Sequence, residues 1–157
     1  LRHLQEALAQ EGARDEAFDP PYSTVHAGIA RGGVALNIVP DHAEVLFEIR
    51  HLASETPEAI LSRLVLPEGA RITRTGQYPG LSVLADDPVV MRFSSALPDP
   101  TPATVAFGTE AGYFAERGIP TIVCGPGTMK DGHQPDESIA IDQLARYHAL
   151  IRDWVLR

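Results

Sequence analysis

Residues 43–50 read Ala-Glu-Val-Leu-Phe-Glu-Ile-Arg, and this octet constrains the fold more than any other stretch. Ala43, Val45, Phe47 and Ile49 recur at every second position, with Glu44, Glu48 and Arg50 between them. Successive side chains of a strand point to opposite faces, so the pattern demands a sheet with one face buried and the other in water. An upstream segment matches it. In residues 22–29, Val25, Ala27 and Ile29 fall on one face, with Thr24 and His26 opposite. Arg31-Gly32-Gly33 marks a turn between the two, and the apolar residues 35–39 stop at Pro40-Asp41.

Helical signals flank this pair. Leu1, Leu4 and Leu8 repeat at i, i+3 and i+7, an amphipathic helix that Gly12 can end, and residues 13–21 read as loop. Thr56-Pro57 places a hydroxyl at the N-cap and proline at the first helical position, with Ile60, Leu61 and Leu64 as the buried stripe. Gly69 and a weaker strand over 70–75 follow. The order helix, strand, strand, helix, strand is a ferredoxin-like split β-α-β arrangement without its first strand.

Residues 77–80 mark a boundary, so the expected organisation is an α+β domain over 1–80 and a second region over 81–157. The second region reads as helix 88–96, a proline-rich loop 98–102, and helix 109–117 ended by Gly118. The apolar run 119–124 has the mark of a strand buried on both faces. After a Gly/Pro-rich loop, Ile141, Leu144, Ala145, His148, Ile151 and Val155 form the core stripe of a closing helix. The whole is therefore α/β, the second half being part of an α/β sheet domain.

Charge narrows the function. The 157 residues carry 13 Lys+Arg against 21 Asp+Glu, a net charge of −8, and Lys130 is the single lysine. Nucleic-acid backbones require a dense basic patch, so no nucleic-acid partner is expected. Apolar runs fall far short of the roughly 20 residues that span a bilayer, and no membrane association is expected. The single cysteine, Cys124, excludes an intramolecular disulfide framework and a thiolate-rich zinc cluster. No basic stretch leading into an apolar run opens the chain, which makes cytoplasm the expected compartment.

The stretch richest in chemistry is Gly125-Pro126-Gly127-Thr128-Met129-Lys130-Asp131-Gly132-His133-Gln134-Pro135-Asp136-Glu137. Ligands of open α/β sheets sit beyond the carboxyl ends of strands, where this loop is expected. His133, between Gly132 and a loop stiffened by Pro135, could present an imidazole to a metal, with Asp136 or Glu137 orienting its second nitrogen. A surface histidine satisfies the same spacing, and one histidine is not a site. His26 sits on a strand face, His148 lies on the core stripe of the closing helix, His3, His42 and His51 lack a partner pattern, and Cys124 reads as a small core residue.

Thr109-Glu110-Ala111-Gly112, Gly118-Ile119-Pro120-Thr121 and Gly125-Pro126-Gly127 through Glu137 resemble the carboxy-terminal end of acetylornithine deacetylases. These belong to a dinuclear-metal family that includes succinyl-diaminopimelate desuccinylase, aminoacylase and the glutamate carboxypeptidases. Phe18-Asp19-Pro20-Pro21-Tyr22, Gly32-Gly33, Leu36-Asn37-Ile38-Val39-Pro40 and Phe47-Glu48-Ile49-Arg50 resemble that family's lid, or dimerisation, domain. The resemblance implies a metal-dependent amide hydrolase of N-acylated amino acids, with two zinc ions (cobalt being possible) and a homodimer formed through the lid. It also implies a place in arginine biosynthesis.

By the same resemblance His133 matches the last metal ligand, Asn37 a lid asparagine at the active site, and Arg50 the arginine that holds a substrate carboxylate. Gly108 and Thr109 match backbone and hydroxyl contacts to substrate. Each has a plainer role open to it. Arg50 can pair with Glu48 on its own strand face, Asn37 can be a turn residue, and Thr109 can cap the helix that follows.

The family's other ligands come from a His-x-Asp motif, a bridging aspartate and a Glu-Glu pair that includes the general base. Neither His-x-Asp nor Glu-Glu occurs in these 157 residues. Together with the missing first strand and a start at Leu1 inside a helical pattern, this leads to the expectation of a piece of a longer polypeptide, inactive alone. The alternatives are a non-catalytic assembly module derived from the lid, or a relative acting on N-succinyl or peptide substrates.

Overall fold

The computed structural model describes residues 1–156. The elements are α1 (Arg2–Glu11), β1 (Thr24–Gly32), β2 (Ala43–Arg50), α2 (Pro57–Leu61), α3 (Pro88–Ser94), α4 (Ala111–Ala115) and α5 (Ile141–Val155). They form a small mixed α/β protein with a two-stranded antiparallel sheet. The chain divides into two compact units, Leu1–Ser82 with Ala103–Tyr113, and Val83–Pro102 with Phe114–Arg157.

In the first unit β1 and β2 pair from Thr24↔Arg50 to Gly32↔Ala43. Strand β1 extends to Gly32, through part of the expected turn, and residues 33–42 make the connection. The ladder shifts register between Ala27 and Ile29, so Gly28 is the extra residue of a bulge. The bulge reverses the alternation. Val25 and Ala27 stand opposite Ile49 and Phe47 as expected, but Ile29 pairs with Leu46 and joins the face of Glu44, Glu48 and Arg50. The expectation that Val25, Ala27 and Ile29 share one face is corrected by that single inserted residue.

Helix α1 covers only the Val25 and Ile49 end of the hairpin's inner face; Ala43 and Val45, expected to point inward, are exposed, Val45 at 47%. Leu4 and Leu8, one turn apart, are buried with Ile60 of α2, and Val25, Ile49 and Leu64 pack against them. Full burial of a leucine or isoleucine stabilises by about 1.5–3 kcal/mol each, which makes this cluster the centre of the unit. Polar ties set its geometry. The Gln5 side-chain oxygen accepts from the Val25 N–H at 2.6 Å. The buried Ser23 hydroxyl donates to Glu55 at 2.6 Å and accepts from the Leu52 N–H at 3.1 Å.

Local end signals act where the sequence places them. The Thr56 hydroxyl accepts from the Ala59 N–H at 3.2 Å, and Pro57 occupies the first turn of α2. Gly12 ends α1 in an extended conformation, φ −69° and ψ 167°, rather than a left-handed one. The need there is space, since a Cβ would stand 2.4 Å from the Leu8 carbonyl oxygen.

Residues 70–75 form no strand. A strand exists only through a ladder with a neighbour, and β1 and β2 pair only with each other among the described residues. This segment is held through the Arg74 side chain instead. Arg74 donates to Glu58 at 2.6 Å and to Gln77 at 2.5 Å. That pairing holds the exposed Glu58 carboxyl below its ordinary range.

In the second unit α3 begins at Asp87, whose carboxylate accepts from the Val89 N–H at 2.8 Å, with Pro88 in the first turn. Phe93 is buried and meets Trp154 of α5 edge-on at 5.1 Å, while the Arg92 guanidinium lies 4.6 Å from the centre of the indole. Past α4 the chain closes in a Schellman turn. The Ile119 N–H donates to the Phe114 carbonyl, the Gly118 N–H donates to that of Ala115, and Gly118 takes φ +72°.

Two expectations for this unit are corrected. Residues 119–124 form no strand, and Ile119 and Val123 are 49% and 51% exposed, because no parallel neighbour is present among the described residues to complete a ladder. The stripe assigned to the core of α5 faces water over much of its length, with Ile141 85% and Val155 73% exposed. The half-buried side of α5 carries Tyr147, Leu150, Ile151 and Trp154. Without a sheet to cover, the helix turns its aromatic side toward Phe93 and residue 124: Trp154 packs on Phe93 and the Tyr147 hydroxyl donates to the Cys124 carbonyl at 2.7 Å.

Candidate functional site

Arg50 closes β2, and strand alternation puts it on the same face as Glu48. Its Nε–H donates to Glu48 Oε1 at 2.9 Å, and its Nη1 donates to the Ala106 carbonyl at 3.0 Å. The second bond ties the strand to Ala103–Tyr113, a segment that is far away in sequence yet lies within the first unit. Other contacts dock the same segment. The Thr104 hydroxyl donates to the Ala17 carbonyl, and the Tyr113 hydroxyl donates to that of Gln77.

Gly108 and Thr109 lie in this docked segment. A Cβ at Gly108 would meet the Tyr78 ring at 3.5 Å, and Tyr78 faces Tyr113 with ring centres 6.2 Å apart. The Thr109 hydroxyl accepts from the Ala111 N–H at 3.2 Å, two residues before α4 begins at Ala111. Glycine at 112 is compulsory, because a Cβ would fall 2.0 Å from the Pro79 carbonyl oxygen. Arg50 thus reaches Ala106, two residues before Gly108, while Gly108 lies against Tyr78 and Thr109 bonds to Ala111.

Asn37 is elsewhere. It sits exposed in the 33–42 connection, where the Ile38 N–H donates to the Ala35 carbonyl at 3.4 Å. That connection follows the Gly32↔Ala43 end of the hairpin, whereas Arg50 pairs with Thr24 at the other end. Seven residue steps along a strand hold the two ends roughly 23 Å apart. Val34, Leu36, Ile38 and Val39 flank Asn37 and are exposed as well.

His133 belongs to the second unit and is exposed. Its backbone is left-handed, φ +58°, an uncommon conformation for a residue with a side chain. The Glu137 carboxylate accepts from the His133 backbone N–H at 2.9 Å, so it braces the loop rather than the second ring nitrogen. No group of three or more His, Cys, Asp or Glu side chains able to hold a metal ion occurs among the described residues. One imidazole does not fit a two-ion centre by itself.

Cys124 is partly buried, and burial pushes its thiol up from the ordinary value, as it does the Tyr147 phenol. A nucleophilic cysteine needs the opposite shift. Sequence reasoning did not single out the Ala106 carbonyl, Tyr78 or Tyr113. A backbone acceptor 56 residues from its donor carries no sequence signal, but Glu48 was visible two positions before Arg50.

Comparison with known proteins agrees with the fold. Residues 1–66 match the M20 peptidase dimerisation domain. Over 96% of its length the chain is 34% identical to an acetylornithine deacetylase of Myxococcus xanthus, and over 90% it is 32% identical to one of Pasteurella multocida. A protein of Aspergillus clavatus named "Probable carboxypeptidase" is 31% identical over 90% of the chain. The chain spans 42%, 39% and 35% of the lengths of these three relatives, respectively. No described helix is long and apolar enough to cross a membrane. Residues 1–66 are thus similar to the peptidase dimerisation domain, and over most of its length the chain is homologous to acetylornithine deacetylases.

Proposed function

We propose that this chain supplies the lid, residues 1–80, and the carboxy-terminal part of the catalytic domain, residues 81–157, of a metal-dependent amide hydrolase. The reaction is hydrolysis of N-acetylornithine to acetate and ornithine in the cytoplasm, as a step of arginine biosynthesis, by a homodimer joined through the lid. The names of the relatives support the hydrolase family, and the dimerisation domain supports the pairing. The observation that carries the substrate reading is Arg50, whose guanidinium is held by Glu48 and by the Ala106 carbonyl, two residues before Gly108, with Nη2 unbonded among the described residues. A guanidinium presents its donors as a planar fork that matches a carboxylate, and N-acylated amino acids carry one.

In this reading Arg50 binds the substrate carboxylate, Gly108 and Thr109 line the substrate, and Asn37 contacts an active site. His133 is one ligand of the metal pair, two zinc ions with cobalt as the alternative. The described residues do not hold that pair alone, so no chemical step is routed through it. When bound, such ions supply a hydroxide near neutral pH.

The test is an assay of the full-length gene product with N-acetylornithine, N-succinyl amino acids and dipeptides, beside metal analysis. Turnover of N-acetylornithine, lost on chelation and restored by zinc or cobalt, is expected. Metal-independent turnover, or none on any acylated amino acid, overturns the hydrolase reading. A second reading, a non-catalytic assembly module, is favoured by the dimerisation-domain match alone and predicts a dimer without turnover. Preference for a succinyl or peptide substrate would redirect the substrate and keep the class.

A further inference from the structure

We infer that Glu48 is a positioning residue for Arg50, and that Glu48 and the Ala106 carbonyl together aim the guanidinium as a carboxylate receptor. The inference rests on the reading of Arg50 as the holder of the substrate carboxylate. An arginine side chain has several rotatable bonds and two donor edges, so a receptor function requires that its plane be fixed. Here two acceptors fix it from different directions. Glu48 lies on the arginine's own strand and takes the Nε–H. The Ala106 carbonyl lies 56 residues away and takes an Nη1 hydrogen.

These bonds use two of the five guanidinium N–H groups and leave Nη2 unbonded among the described residues. Ala106 is also only two residues ahead of Gly108, so the bond that orients the guanidinium ties it to the chain that leads into the segment proposed to line the substrate. Both members of the pair are more than half exposed, with side chains 53% accessible for Glu48 and 58% for Arg50. An ion pair so exposed stabilises the fold very little. Its consequence is orientation: ordering Arg50 before substrate arrives removes an entropy cost that binding would otherwise bear.

The experiment uses the full-length enzyme and two substrates, N-acetylornithine and the same amide with its α-carboxylate converted to a carboxamide. The readout is the ratio of kcat/KM for the first over the second. In Glu48→Ala this ratio falls about fivefold, the loss lying in KM. In Glu48→Gln it falls less, because the amide oxygen still accepts from Nε–H, and in Arg50→Ala it falls further than in either. A Glu48 that merely supported the fold would weaken both substrates alike and leave the ratio unmoved, which would overturn the inference. An unmoved ratio in Arg50→Ala would overturn the carboxylate reading and this inference together. A ratio sensitive to Arg50→Ala and indifferent to Glu48→Ala would remove Glu48 alone.

Discussion

The two units show how differently one chain can realise similar signals. In the first, an antiparallel hairpin, a helix and a capped turn close a core around Leu4, Leu8 and Ile60. In the second, two helices meet through Phe93 and Trp154, and an apolar run that reads as a buried strand forms no ladder. Antiparallel strands joined by a short connection find each other locally, whereas a parallel strand requires partners brought from far along the chain. Apolar content was never what separated them. The difference is whether the partner a segment needs is close in sequence.

The sharpest way to break this contrast is to empty each core in turn. Leu8→Ala removes the centre of the first unit, and urea unfolding followed by circular dichroism should show a loss of about 3–4 kcal/mol. Phe93→Ala should cost about 2–3 kcal/mol, less than a fully enclosed aromatic, because its partner Trp154 is only half buried. The chain has a single tryptophan, so Trp154 fluorescence reads the second unit directly and should shift in Phe93→Ala while staying put in Leu8→Ala. Equal losses would mean that the second unit is as tightly built as the first.

A smaller effect tests what the units share. Thr56→Ala and Asp87→Ala each remove a side chain that caps a proline-started helix, and each should cost about 1 kcal/mol in the same melts. Similar costs would show that caps act independently of the core behind them.

The smallest effect concerns pH. Burial raises the Cys124 pKa in the folded state, so this group contributes stability at pH below its unfolded value and loses that contribution as pH rises through the folded value. Thiol titration of the native protein should therefore be slow at neutral pH, quicken on the alkaline side, and be faster in denaturant. Rapid modification of the native protein near pH 7 would contradict this. Glu58 has the opposite sign: its lowered pKa contributes above the unfolded value and is lost as pH falls, and Arg74→Ala, which removes the largest cause, should weaken that acid dependence.

The legible part of the fold was the part with a local cause. Alternation over Ala43–Arg50 located β2, leucine spacing located α1, and the hydroxyl before a proline located α2. Gly28 hid its bulge, because an inserted residue shows itself only once the partner strand is in place. At the candidate site, Glu48 and Arg50 were visible together from the strand period. Spacing could not reveal that Asn37 and Arg50 occupy opposite ends of the hairpin, nor that Glu137 holds the His133 backbone.

Residue order alone determined which segments are helical or extended, where helices start, and which side chains share a face of β2, because those properties follow from bonding within a few residues. Tertiary structure decided which extended segments become strands, which side of α5 is covered, and that a carbonyl at Ala106 meets the guanidinium of Arg50. Ladders, burial and long-range hydrogen bonds each require a second partner, and where that partner lies is a property of the folded chain.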